Sequence, residues 1–121
     1  MNALIFSSTP AWHTKKCEGL PFLLNVLKGL NIPVITGEAN PDADSYMDTA
    51  QAAGHSIADC TVIENTVEGI YAAAEAGAGT IAVIDTDREV REQLGSLPEV
   101  KRVYENYYDF YHDMVMDRIF S

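Results

Sequence analysis

The chain has 121 residues, which is the size of one domain. Eight Lys and Arg residues against eighteen Asp and Glu residues give a formal net charge of −10 at pH 7. This charge argues against binding to nucleic acids or anionic membranes, because their phosphates would be repelled. No apolar run approaches the roughly 20 residues of a membrane-spanning helix. No basic leader precedes the first apolar run, so a signal peptide is not expected. The two cysteines make neither a disulfide framework nor a metal site. We therefore expect a cytoplasmic protein without nucleic-acid or membrane partners.

The first half of the chain alternates between short apolar runs and segments with helical spacing. Leucines recur at helical spacing from Leu20 to Leu30, Pro21 suits the first turn of a helix, and Asp44 is expected to cap a second helix. Short apolar runs that end at turn residues indicate buried strands. In chain order we predict a strand over 3–6, a helix over 20–30, a strand over 33–36 and a helix over 44–53.

The same alternation continues in the second half. Thr66 is expected to open a helix and Asp87 to cap a shorter one. We predict a strand over 60–63, a helix over 66–77, a strand over 80–84 and a helix over 87–94. Two interpretations of the tail stay open. One is an edge strand over 101–105 followed by a helix that Asn106 caps, and the other is a single long helix beginning at Pro98.

Alternating strands and helices predict the fold class. Because the strands are continuously apolar, we expect a parallel sheet covered on both faces. The prediction is an α/β fold, a three-layer Rossmann-like sandwich with a small, mostly parallel sheet of four or five strands. Ligand sites in such sheets lie beyond the carboxyl ends of the strands. The segments to examine for function are therefore 7–10, 36–40, 64–66 and 85–87.

Residues 60–77 resemble a motif of a known family. They read C-T-V-I-E-N-T-V-E-G-I-Y-A-A-A-E-A-G, similar to the fourth motif of the haloacid dehalogenase-like (HAD) superfamily, V-I-E-D-S-x-x-G-I-x-A-A-x-A-A-G in members similar to β-phosphoglucomutase. Residues 37–42, G-E-A-N-P-D, resemble the family's G-K-P-x-P-D. Residues 1–10 lie where the family has an apolar strand followed by D-x-D-G-T. The resemblance implies a HAD-like domain of the β-phosphoglucomutase-like subgroup.

The catalytic positions of that family carry different residues here. Its phosphoryl transfer through an aspartyl-phosphate needs a nucleophilic Asp, an acid/base Asp, Mg²⁺ held by carboxylates, and a Lys. Carried over position by position, the nucleophile falls on Ser7, the acid/base on Thr9, the motif-four metal ligand on Asn65 and the Lys on Glu38. Glu64 is the one carboxylate that remains at these motifs.

These departures predict a catalytically inactive HAD-like domain that acts as a binding or protein-interaction module, with no catalytic residues, no metal and no cofactor. The alternative is a Mg²⁺-dependent HAD-type phosphohydrolase that acts on a small phosphorylated metabolite with altered residues. A phosphoryl-transfer site that loses its nucleophile loses about a million-fold in rate by analogy with other nucleophilic enzymes. The first interpretation therefore leads.

Two interpretations of the vacated site stay open. Its hydroxyls and backbone N–H groups could bind an anion, or its residues could be ordinary turn residues that fill the pocket. Glu64 and Asn65 would be the vestiges of the metal site. The residues of this vestigial anion pocket are Ser7, Ser8, Thr9, Thr36, Gly37 and Asn65.

The resemblance also predicts a single domain over residues 1–121. Many relatives insert a cap domain after the first motif, but only seven residues separate Trp12 from Leu20, so no cap fits. The short segment after the second strand leaves no room for the family's third strand. By analogy with the family we expect the strands in the order 33–36, 3–6, 60–63, 80–84, with 101–105 outermost.

The C-terminal segment is unusually aromatic. Six of the eleven aromatic residues lie in the last eighteen positions. Helical periodicity over 107–120 is expected to turn Tyr108, Tyr111, Val115 and Ile119 toward the core, which leaves Met116 and Phe120 on the opposite, solvated face. We predict an interface to a second copy of the chain or to a protein partner, and the alternative is a helix that only covers the sheet. The predicted interface residues are Tyr107, Phe110, Met116 and Phe120.

Overall fold

The computed structural model describes residues 3–6, 18–36 and 42–116. Strands and helices alternate through these ranges, as the sequence predicted. The strands are β1 Ala3–Phe6, β2 Val34–Thr36, β3 Cys60–Ile63, β4 Thr80–Ile84 and β5 Arg102–Tyr104. The helices are α1 Leu20–Gly29, α2 Ala43–Ala52, α3 Val67–Ala76, α4 Arg88–Gly95 and α5 Tyr107–Phe110, with a 3₁₀ turn at Ile57–Asp59 and a π-helical turn at Tyr111–Met116 after α5.

All five strands form one parallel sheet in the order β2-β1-β3-β4-β5. This is the order expected from the resemblance, with the last strand outermost, and it confirms the Rossmann-like fold class. Each crossover between parallel strands passes through a helix, because parallel strands cannot be joined by a tight turn. The carboxyl ends of the strands therefore meet at one edge of the sheet.

Two apolar clusters fill the spaces on the two faces of the sheet. Side chains alternate along β1, so Ala3 and Ile5 join one cluster while Leu4 and Phe6 join the other. Side chains of α2, α3 and α4 cover the first face, and side chains of α1 and α5 cover the second. The result is the predicted three-layer sandwich. None of the helices in the described ranges has the length and apolarity needed to cross a bilayer.

The N-cap of α2 lies two residues earlier in the chain than predicted. The N-cap is Asp42, not Asp44, because the Asp42 carboxylate accepts a hydrogen bond from the Ser45 N–H at 2.8 Å. Asp44 lies in the first turn, where an acidic side chain also interacts favourably with the helix dipole. Two acidic residues at this spacing fit the same start signal, so the sequence alone does not separate them.

The tail is a strand followed by a helix, and the alternative of one long helix from Pro98 is wrong. Residues Arg102–Tyr104 pair with β4. The Asn106 side chain then caps α5 by accepting a hydrogen bond from the Asp109 N–H at 2.9 Å. The predicted cap at Asn106 is confirmed.

Candidate functional site

Two buried carboxylates lie at the carboxyl edge of the sheet. Glu64 follows β3 directly and Asp85 follows β4, and both side chains are only 2% exposed. Together with Thr61, they are the buried polar or charged residues of the described chain. Buried carboxylates require hydrogen-bond partners, so the partners of each define what this edge can do.

The carboxylate of Glu64 lies between α2 and α3. Its Oε2 accepts a hydrogen bond from the hydroxyl of Tyr46, which is itself 2% exposed on α2. On the other side the carboxylate packs directly on Gly69 of α3, where an added Cβ would lie 2.2 to 2.5 Å from its three terminal atoms. The Glu64 N–H donates to the Ala82 carbonyl at 3.1 Å, which continues the β3–β4 pairing. Glu64 is thereby held from both its backbone and its side chain.

The carboxylate of Asp85 accepts a hydrogen bond within the turn between β4 and α4. Its Oδ1 accepts a hydrogen bond from the Asp87 N–H at 2.9 Å, and the Asp85 carbonyl accepts one from Arg91 Nη1 at 2.8 Å. Asp87 in turn caps α4 by accepting from the Glu89 N–H at 2.9 Å. The prediction that Asp87 is a helix cap is confirmed. Both acidic residues of this Asp-x-Asp sequence therefore order the turn between β4 and α4.

Asn65 and Thr66 open α3 at the same edge. Asn65 is exposed, directly after the buried Glu64. Thr66 is the N-cap, and its hydroxyl accepts a hydrogen bond from the Gly69 N–H at 3.1 Å. The predicted role of Thr66 as a helix start is confirmed.

The other predicted pocket residues are only partly described. Ser7, Ser8, Thr9 and Gly37 lie outside the described residues. Thr36 ends β2 and stands in register with Phe6, the last residue of β1. The vestigial anion pocket therefore stays a prediction. Across 3–6, 18–36 and 42–116, no group of three or more His, Cys, Asp or Glu side chains is gathered closely enough to hold a metal ion.

Comparison with solved structures gives one informative match. The crystal structure of a HAD hydrolase, family IA, variant 3, from Entamoeba histolytica HM-1:IMSS superposes with a TM-score of 0.67 at 23% sequence identity. The match covers 77% of this chain and 56% of that chain, so the present chain spans little more than half the length of its neighbour. The chain shares the Rossmann-like fold of this HAD structure. No family model and no curated protein matches the sequence.

Sequence reasoning missed Tyr46 as part of this edge of the HAD-like fold. Tyr46 lies 18 residues before Glu64 and on a different helix. Helical spacing marks it only as one residue of an amphipathic helix. Its hydroxyl becomes important through a tertiary contact, which no local pattern in the sequence encodes.

The expected orientation is wrong for Tyr107, Phe110 and Tyr108, whereas Tyr111 is half-buried against the second cluster as expected. Tyr107 and Phe110 were predicted at an interface, but they are buried within the chain, with exposed fractions of 4% and 0%. Tyr107 packs against Phe6 of β1, with ring centroids 6.2 Å apart. Tyr108, which was expected to face the core, is instead 43% exposed.

The helix begins where the sequence predicts, at Tyr107 after the Asn106 cap, but it turns a different face to the sheet. Tyr107 and Phe110, three residues apart, share the buried face. After Phe110 the helix widens into a π-helical turn, which brings Val115, five residues later, onto the same buried face. The burial predicted for Val115 is confirmed. Ile119 and Phe120 lie outside the described residues, as does the side chain of Met116, so the predictions for these three residues stay untested.

The π-helical turn is tied to the edge strand by a polar contact. The Tyr104 hydroxyl donates a hydrogen bond to the Asp113 carboxylate, and Arg102 Nε lies 3.6 Å from the same carboxylate. Burial raises the pKa of Tyr104, and the hydrogen bond to the negative Asp113 raises that pKa further. Tyr104 therefore stays a protonated donor at neutral pH.

Proposed function

We propose that this chain is a catalytically inactive HAD-like domain that acts by binding a ligand or a protein. One observation carries the proposal: the carboxylate of Glu64, the acid that remains at the family's metal-binding motif, accepts a hydrogen bond from Tyr46 inside the core. A carboxylate used in this way stabilises the packing of α2 on α3. The same group in a working site would face a cation.

The donor set at the strand ends supports this proposal. Mg²⁺ prefers carboxylate oxygens in near-octahedral geometry. The positions that match the family's carboxylates carry Ser7, Thr9 and Asn65, which are uncharged. Asp85 contributes a carboxylate at this edge, but its Oδ1 accepts a hydrogen bond from its own loop. The residues present are a poor fit to Mg²⁺, and we derive no catalytic step through it.

A Mg²⁺-dependent phosphohydrolase acting on a small phosphorylated metabolite is the competing function. The observation that favours it is the burial of two carboxylates, Glu64 and Asp85, at the ends of adjacent strands. The carboxyl ends of adjacent parallel strands are where ligand sites of such sheets are found. The two functions differ in whether either carboxylate is available to a metal ion.

Hydrolysis of an aryl phosphate in the presence of Mg²⁺ separates the two functions. We expect no phosphate release above the buffer rate in the fractions that contain the folded protein. Glu64→Gln, which keeps an oxygen to accept the Tyr46 hydrogen bond, should behave like the wild type. Turnover that co-elutes with the wild-type protein and is lost in Glu64→Gln would establish the phosphohydrolase and reject the inactive domain.

A further inference from the structure

Strand β2 forms one edge of the sheet. It stands first in the strand order, and in the described ranges only β1 pairs with it. The Leu4 N–H donates to the Pro33 carbonyl at 2.9 Å, which places the paired backbone groups of β2 on Pro33 and Ile35. Because successive residues of a strand direct their N–H and C=O groups to opposite sides, those of Val34 and Thr36 point away from the sheet.

The segment that contains β2 carries no charge and exposes apolar side chains. Residues 29–37 include no acidic or basic residue, in a chain with a net charge of −10. Val34 is 36% exposed, and Leu30, in the turn that precedes β2, is 42% exposed. An uncharged edge strand with outward-facing backbone groups is a template for pairing with another strand.

The other edge of the sheet, at β5, carries charged side chains. Arg102 begins β5 and follows Lys101, and both are exposed. Arg102 Nε lies 3.6 Å from the carboxylate of Asp113. Charged side chains on an edge strand oppose the approach of a further strand, because pairing would remove them from water. The two edges therefore differ in charge, although each exposes a valine to a similar extent, Val34 by 36% and Val103 by 38%.

We propose that β2 is a dimerisation strand, which pairs with β2 of a second copy of this chain in antiparallel orientation. A two-fold axis at Ile35 places Val34 opposite Thr36 of the second copy, and each of these two pairs exchanges two backbone hydrogen bonds. The two sheets then join into one continuous sheet. This inference goes beyond the proposed function and does not depend on it.

Symmetry and charge make a second copy the occupant. A two-fold contact requires a surface that is complementary to itself, and the outward-facing groups of β2 meet this condition because they lie one residue on either side of Ile35. Two copies, each with a net charge of −10, repel one another, so that contact is favoured where charge is absent, as in residues 29–37. Added salt should strengthen this dimer, because salt screens the repulsion.

Sedimentation equilibrium of the full chain is the first test. We expect a reversible equilibrium between monomer and dimer at high micromolar concentration, because a strand of three residues provides a small interface. The dimer fraction should rise when salt is added. A chain that remains a monomer at these concentrations, at both low and high salt, would overturn the proposal, because the edge would then need a strand from a different protein.

Matched variants at the two edges locate the contact. Val34→Lys should weaken dimerisation by about tenfold or more, because pairing would bring the ammonium groups of both copies to the same edge. Val103→Lys, at a similarly exposed valine of β5, should leave the dimer unchanged. Tyr108→Ala, at an exposed tyrosine of α5, should also leave it unchanged. A dimer that persists in Val34→Lys, or that Tyr108→Ala dissociates, would reject β2 as the interface.

Amide hydrogen exchange of the wild type tests the same contact without a substitution. The N–H groups of Val34 and Thr36 are hydrogen-bonded in the dimer, so their exchange should slow as the protein concentration rises. The amides of β5 should show no such dependence. Exchange at Val34 and Thr36 that does not change with concentration would overturn the proposal. The aryl phosphate assay is independent of these results, so a failure here leaves the proposal of an inactive domain to be judged separately.

Discussion

Gly69 determines where the carboxylate of Glu64 can lie. Its φ is not in the left-handed region, so the backbone would accept any residue. A side chain at position 69 is excluded by steric overlap, because the Glu64 carboxylate occupies the position that its Cβ would take. A glycine in the first turn of a helix costs conformational entropy, and here that cost allows Glu64 to remain in contact with Tyr46.

Gly69→Ala should therefore destabilise the protein by about 1–3 kcal/mol, because the new methyl group displaces a buried, hydrogen-bonded carboxylate. Gly29→Ala is the matched control in α1, where no neighbouring atom lies within 4 Å of an added Cβ. It should stabilise the protein by about 0.5–1 kcal/mol. Urea unfolding measures both changes.

The same substitution in a Glu64→Ala background tests the cause. With the carboxylate removed, Gly69→Ala should lose most of its cost, and the two changes should be strongly non-additive. An equal cost of Gly69→Ala in both backgrounds would mean that the Glu64 contact is not what restricts this position.

The sequence predicted one half of this arrangement and not the other. Glu64 follows an apolar run and precedes a helix cap, so its place at the carboxyl end of β3 could be read from local pattern. The destination of its side chain could not, because Tyr46 and Gly69 reach it from two different helices. A carboxylate at a strand end is compatible with metal binding and with packing, and only the tertiary contact distinguishes them.

Helix ends were the most predictable features at the scale of the elements. Thr66, Asp87 and Asn106 cap their helices as expected, because a side-chain oxygen before a helical pattern satisfies the free N–H groups of the first turn. Side-chain orientation was less predictable. In α5, Phe110 is buried and Tyr108 is exposed, which is the reverse of what helical periodicity predicted for these two residues.

The Asp42 cap should make stability depend on pH. The backbone N–H and the hydroxyl of Ser45 both donate to its carboxylate, at 2.8 and 2.9 Å, and lower the pKa of Asp42 from its ordinary 3.8. Its pKa is therefore lower in the folded than in the unfolded chain. The stabilisation is complete above the unfolded-state pKa and is lost as the pH falls through the folded-state pKa.

Comparison with Asp42→Asn measures this effect, because asparagine keeps the cap but does not titrate. The stability of the wild type relative to Asp42→Asn should decrease as the pH is lowered from neutral to below 4. Ser45→Ala removes the hydroxyl donor and should reduce this decrease without abolishing it. A wild-type advantage that grows on acidification would contradict the assignment.

At the scale of the whole molecule, α5 and the π-helical turn after it complete the core. Tyr107, Phe110 and Val115 join the cluster that covers the second face of the sheet together with α1. The order of the strands followed from the family resemblance, since the motifs identify which strand is which. Which tail residues complete the core did not follow, because Tyr107 and Phe110 were expected at an interface and Tyr108 was expected in the core.

Phe110→Ala should cost about 3–5 kcal/mol, the range for a fully buried phenylalanine. A chain ending at Leu97 loses β5 as well and should not fold, which the loss of dispersion in its amide NMR spectrum would show. The control is Tyr108→Ala, the exposed neighbour on α5, which should change stability by less than about 1 kcal/mol. A folded chain ending at Leu97 would show that the tail is an appendage.

We propose that the Glu64 carboxylate belongs to the core and does not hold a metal ion. The most direct measurement is a Mg²⁺ titration of the full chain, followed by the backbone amide NMR signals of Glu64, Asn65 and Thr66. We predict no saturable shift of these signals at millimolar Mg²⁺, because the Glu64 carboxylate is buried and accepts a hydrogen bond from Tyr46. Saturable, stoichiometric shifts centred on Glu64 and Asn65 would contradict the account.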